Sequence, residues 1–280
     1  LSGADAFKLY DTYGFPIDLT KDILEEKGIA VDEEEFTRRM TEQRSRARAA
    51  RKNAGADAWE NDAGILSELT PGRFVGYDTL RCEAKVTAII RDDELVDGVS
   101  EGEEAVVVLD TTPLYAESGG QLGDIGAVTS EGASFDVRDT VKSHNGVILH
   151  TGRQTRGEIR VGDVVVAAVN EEERRATMRN HTAAHLLQAA LREVLGTHVE
   201  QAGSYQDGDR TRFDFSHFQA MTAEELEKVE QIVNEKIAEA IPVQTDVMTV
   251  EEAKKTGAIA LFGEKYGETV RVVSMGDFSR

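Results

Sequence analysis

The sequence predicts an α+β, multidomain chain. It has a helical N-terminal segment over 1–72, a small antiparallel β-barrel over 73–169, and an α+β core over 170–280 with a long His-bearing helix. Three observations predict this. Residues up to about 70 read as helical, with breaks and caps where helices stop and start. From about Arg73 to Asn170 the pattern becomes short β-rich runs separated by glycines and acidic turns. Beyond Asn170, helical stretches alternate with strands, so both kinds of element share one core.

In the first segment, Gly14-Phe15-Pro16 breaks a short helix, and a second helix runs to Lys27 and closes at Gly28. Asp32 and Glu35 are spaced as a cap with a return contact. The helix they open has Phe36 and Met40 on one side and ends near Asn53-Ala54-Gly55-Ala56-Asp57. The β-rich runs are 85–90, 105–109, 134–137 and 164–166. Among them, 117–126 is glycine-rich but lacks the Lys-Ser/Thr of a phosphate loop and the dinucleotide spacing, so it reads as a tight turn. Asn170 can cap the long helix, and Glu171, Glu172 and Glu173 suit the positive end of its dipole; the helix closes near Gly196. Thr222 and Glu225 form a capping box, Met221 and Leu226 a hydrophobic staple, and Leu226, Val229, Val233 and Ile237 a buried stripe. A strand at 243–247, a short helix at 251–255 ending at Gly257, and a strand at 269–273 complete the core.

Composition bounds the function. No apolar run approaches 18 residues, which excludes a spanning helix and a membrane partner of that kind. The N-terminus carries no signal pattern and no starting methionine, so a piece of a longer protein is expected. Cys82 is alone, which excludes an internal disulfide and fits a cytoplasmic location. A net charge of -20 repels polyanions and argues, on its face, against a nucleic-acid partner, DNA included. The charge is uneven, however: Arg38, Arg39, Arg44, Arg46, Arg48, Arg51 and Lys52 face only Glu42, as a phosphate contact or as a solvated helix face.

The most chemical stretch is Asn180-His181-Thr182-Ala183-Ala184-His185-Leu186-Leu187. Residues four apart stack on one helix face, so two imidazoles can converge on one ion. Neutral imidazole is the commonest zinc ligand. The stripe Leu187, Leu191, Val194 and Leu195 lies on the far side, so the pair faces solvent or a cleft. A zinc-protease helix needs glutamate after the first histidine, and position 182 is threonine. His144, His150, His198 and His217 read as structural.

Taken together, these stretches resemble alanyl-tRNA synthetases. The resemblance rests on 8–16, 117–123, 180–187, 196–199, 212–217, 260–266 and 274–279, an ordered set spanning nearly the whole chain. It implies the end of the tRNA-recognition region (1–72) and most of the editing domain (170–280), with alanine tRNA as partner. In that family the editing domain hydrolyses the ester joining serine or glycine to alanine tRNA. A pocket for alanine cannot exclude smaller glycine and rejects an added hydroxyl only modestly, so a second site restores fidelity.

The resemblance also implies Zn2+ held by His181 and His185 with a cysteine and a third histidine in a Cys-x-x-x-His segment expected beyond Arg280. Cys82 lies in the wrong region to substitute. With half a coordination sphere, weak zinc binding and little or no deacylation are expected of these residues alone. Gln201 and Ser204 match editing-pocket positions, where an amide and a hydroxyl can bind the substrate hydroxyl or orient water. Ala184 stands where relatives often carry threonine. Asp11 matches an acceptor-stem contact, and helix capping is its local alternative. ATP and Mg2+ belong to the aminoacylation domain, expected before Leu1. A non-catalytic tRNA-docking module and a free-standing trans-editing protein are the alternative readings.

Overall fold

The computed structural model describes residues 1–280 except 14–16, 18–19, 22–23, 25–28, 34, 40–64, 93, 257–267 and 280; for 11–13 it describes the backbone only. Two compact units are present, Leu1–Glu68 and Leu69–Arg280. In the first, helix α1 spans Gly3–Tyr13. Asp32 caps as expected, its Oδ1 accepting the Glu35 N–H at 2.9 Å. Phe36 packs edge-on against Tyr10. The break at 14–16, the stop at Gly28, Met40 and the basic residues Arg44, Arg46, Arg48, Arg51 and Lys52 lie outside the described residues. Arg39 donates to Glu35 at 3.1 Å.

The second unit begins with a barrel. Strands β1 (Arg81–Arg91), β2 (Glu104–Leu109), β3 (Gly126–Ser130), β4 (Ala133–Lys142), β5 (Ile148–Arg156) and β6 (Val164–Val169) pair in the order β6-β3-β4-β5-β2-β1. A further β6–β1 ladder closes the ring. All six ladders are antiparallel, so no long edge is left open to other chains. Inward residues alternate along the strands: Val86, Val107, Leu109, Val128, Phe135, Val137 and Val165 fill the interior.

His150 sits fully buried at the barrel wall. Its Nδ1 is 2.8 Å from the Val107 carbonyl. Its Nε2 is 2.8 Å from the Thr112 hydroxyl, which itself accepts the Leu114 N–H. Both nitrogens are thereby used by a neutral ring, the structural role expected of it. Burial lowers its pKa from 6.5 to about 4. The unfolded chain therefore takes up this proton first as pH falls. Stability contributed by the neutral ring is full above pH 6.5 and is lost on the way down to about 4, a change of about 3 kcal/mol. Denaturant unfolding followed from pH 7 to pH 4 should show that fall, and a His150→Leu variant, weaker at pH 7, should show a shallower one.

Helix α2 spans Glu171–Leu195, with the Asn170 side chain accepting the Glu173 N–H and Gly196 closing it, as predicted. A hairpin of β7 (Gln201–Gln206) and β8 (Thr211–Phe215) follows. Helix α3 (Ala223–Ala238) carries the Thr222–Glu225 capping box. Its buried line is not the predicted one: Val229 is buried and Ile232 and Val233 pack on the core, but Leu226 and Ile237 are each 54 % exposed. The helix is rolled toward Ile232, with Lys236 lying over the Phe278 ring at 5.2 Å. Strand β9 (Val243–Thr249), helix α4 (Val250–Lys255) and strand β10 (Thr269–Met275) complete the unit, β9 and β10 pairing antiparallel. The predicted stop at Gly257 lies outside the described residues; α4 closes at Thr256. Among the described residues, no helix is long and apolar enough to cross a membrane.

Candidate functional site: a histidine pair braced by a glycine-rich turn

Helix α2 has two faces of different chemistry. Leu187, Leu191, Val194 and Leu195 pack with Phe213, Phe215, Val229 and Val233, as their spacing predicts. At about 100° per residue, Arg174, Thr177, His181, His185 and Gln188 lie along another face. Arg174, Thr177 and Gln188 are buried and the two histidines half-buried, so this polar stripe has to find partners.

Arg174 and His181 find theirs in the glycine-rich segment, while Gln188 Nε2 stays buried without one among the described residues. Ser118 and Gln121 bond each other's backbone, closing a two-residue turn at Gly119 (φ 59°) and Gly120 (φ 81°). Positive φ at both central residues suits glycine and gives the tight turn expected here. The chain then runs on to Asp124, which forms a buried ion pair with Arg174: the guanidinium Nε donates at 2.8 Å to Asp124 Oδ1, and Nη2 bonds Oδ2. Arg174 also donates to the carbonyls of Gly76 and Pro113, each at 2.9 Å. Asp124 Oδ2 further accepts the Tyr115 N–H at 2.7 Å. Two turns further along α2, His181 Nδ1 meets Gln121 Oε1 at 2.8 Å. The spacing is commensurate. Seven helical residues rise about 10 Å, and three extended residues reach about 10 Å, so Gln121 and Asp124 match His181 and Arg174.

The two imidazoles stack, 10° from parallel with centroids 5.2 Å apart. Burial, then the neighbouring His185, lowers the His181 pKa to about 4. Burial also lowers that of His185. Both rings are therefore neutral near pH 7. With Gln121 oxygen as acceptor, His181 carries its proton on Nδ1, and Nε2 keeps a lone pair. His181 faces this turn, and both rings are half-buried. Among the described residues, no cluster of three or more His, Cys, Asp or Glu could hold a metal, so two imidazoles are the donors placed here.

The same turn reaches Ser204. A Cβ on Gly120 would collide with the Ser204 hydroxyl and come within 2.7 Å of its carbonyl oxygen, so only glycine permits this approach. Gln206 N–H donates to the Gly120 carbonyl at 2.8 Å, and Leu122 N–H to the Gln206 carbonyl at 3.1 Å, stitching β7 to the turn. Gln201 is half-buried at the start of β7, opposite Phe215, with a bulge before Gly203. Among the described residues, no direct hydrogen bond joins Gln201 or Ser204 to the histidines. Ala184 is buried one residue before His185. Asp11 lies in α1 of the first unit, and its side chain is outside the described atoms. Cys82 is on β1 of the barrel.

Sequence reasoning missed Gln121 and the Arg174–Asp124 pair. Gln121 stands between glycines in a segment taken only as a turn. Arg174 follows three glutamates in a first helical turn that looks solvated. His198 and His217 bond each other at 2.9 Å, and His198 stacks on Phe218 while His217 meets it tilted, a cluster separate from the pair on α2.

Comparison with known proteins shows the family of the chain. A family profile described as tRNA synthetases class II (A) matches residues 1–173. Alanine–tRNA ligase 1 of Lachnoclostridium phytofermentans is 52 % identical over 283 residues, covering all of this chain and 32 % of that protein. The alanine–tRNA ligases of Clostridioides difficile and Bacillus velezensis are 50 % and 49 % identical over 280 residues, again covering all of this chain and 32 % of each relative. The chain thus spans about a third of the length of these relatives. The profile ends before the histidine pair, whereas the relatives align through it and beyond. The chain belongs to the alanine–tRNA ligase family of class II tRNA synthetases.

Proposed function

We propose that residues 170–280 are the greater part of a proofreading site that hydrolyses the ester between serine or glycine and alanine tRNA, and that 1–72 contributes to tRNA recognition. The observation that carries this reading is the pair His181 and His185, held parallel and neutral on one helix face. Gln121 fixes one ring, and Ser204 is drawn to the same turn. Attachment of alanine, with ATP and Mg2+, we assign to other parts of a ligase about three times as long.

The residues present fit zinc as two of its donors. Ligating histidines must be neutral, and each commonly donates its second N–H to an oxygen acceptor that orients the ring. His181 meets both conditions through burial and Gln121. When bound there, zinc would supply positive charge to orient or polarise the ester.

Selectivity then falls to the chain's own polar groups. The Ser204 hydroxyl and Gln201 amide can pair with the serine hydroxyl, and an alanyl ester would leave them unpaired. Sites built to bind a hydroxyl discriminate against the analogue lacking it by up to about 10⁴-fold. Glycine lacks both the hydroxyl and the methyl, and the space it leaves admits a water that can pair with those groups. The Gln201 amide can also orient the attacking water. The full-length ligase containing this chain should release serine from seryl-tRNA made with alanine tRNA; an ester left intact would refute the reading.

A further inference from the structure

On β7, Ser204 and Gln206 point toward the glycine-rich turn, so Tyr205 between them points to the opposite face. Arg212 is its cross-strand partner. The guanidinium carbons of Arg210 and Arg212 lie 5.6 and 5.8 Å from the Tyr205 ring centroid. These residues and Thr211 line a cavity of about 410 Å³. Thr211, cross-strand from Gln206, turns its side chain to the other face, so the arginines and the ring carry the cavity's chemistry. Arg212 Nε donates to Asp214 at 3.1 Å, and among the described residues its Nη groups have no partner. Arg210 lies 3.7 Å from Asp207, whose Oδ1 is already taken by the N–H groups of Asp209 and Arg210.

The cavity therefore offers two guanidinium groups held over a ring that limits their freedom; each has one carboxylate neighbour, Asp207 or Asp214, and further N–H groups beyond it. A phosphodiester offers acceptors only, in the planar spacing a guanidinium fork matches. The location fits as well. Asn180, the residue before His181, donates to the Asp207 carbonyl at 2.8 Å and ties the hairpin tip to the histidine turn. We propose that Tyr205, Arg210 and Arg212 form a phosphodiester subsite that grips the RNA strand whose terminal ester lies at the histidine pair; this rests on the proofreading reading above. A chain of net charge -20 needs such a local cationic grip to hold a polyanion.

The test is an Arg210→Ala/Arg212→Ala double variant of the full-length ligase, assayed on seryl-tRNA with salt varied. The subsite predicts KM raised about tenfold with kcat within about twofold, and a log–log salt slope of binding less negative by about one to two. If the wild type hydrolyses the ester and the variant keeps its KM and slope, the subsite is refuted while the proofreading reading stands. If the wild type leaves the ester intact, that reading fails, and binding of a single-stranded RNA oligonucleotide decides the subsite: weaker in the variant supports it, equal overturns it. Should the alanine variant melt early, Arg210→Lys/Arg212→Lys keeps the charge but not the fork. It should retain the salt slope and still raise KM, and an unchanged KM overturns the proposal.

Discussion

Replacing His181 and His185 together by alanine in the full-length ligase should lower hydrolysis of seryl-tRNA by on the order of 10³-fold, with alanine attachment unchanged. The effect is large because the two rings are the donors the fold holds neutral and parallel on this face, and nothing else among the described residues replaces them. A graded companion is Gln121→Leu. Losing the acceptor frees His181 to rotate and to change tautomer, which typically costs a bound metal about 10–100-fold in affinity. Gln121→Glu keeps an acceptor and should recover most of the loss. A purely packing role for Gln121 would predict equal damage from both variants. Zinc titration separates these outcomes.

Asp124→Ala should destabilise the second unit by about 3–5 kcal/mol in denaturant unfolding. The substitution strands a guanidinium that is 5 % exposed and deprives the Tyr115 N–H of its acceptor. It also releases the segment that aims Gln121 at His181, so deacylation should fall even where the protein still folds. The contrast is Arg175→Ala, which breaks a surface pair with Glu171 one helical turn apart. That change should stay within about 0.5 kcal/mol. Equal effects from the two variants would show that the buried pair does not hold the helix to the barrel.

The uneven legibility of this chain has physical causes. The ends of α2 were readable because Asn170 and Gly196 act through their own local backbone. The histidine face was readable because a spacing of four is a property of one helix. The barrel was readable where a strand carries a valine run, as at β2 and β6. It was not readable at β3 or β5, where threonines, glycines and arginines dilute the pattern and cross-strand pairing does the defining. The face that α3 buries packs in a core that includes Phe278, forty-two positions beyond Lys236. Gln121 lies sixty residues from His181, and Asp124 fifty from Arg174. No local spacing encodes such pairs, so the two histidines were visible in the sequence and their hydrogen-bond partners were not.

The most direct measurement is zinc-edge X-ray absorption on the full-length ligase, compared with its His181→Ala/His185→Ala variant. Two imidazole nitrogens at about 2.0–2.1 Å in the wild type, lost in the variant, are the predicted result. A spectrum without imidazole, or one that the substitutions leave unchanged, would contradict the assignment of this helix face as a metal site.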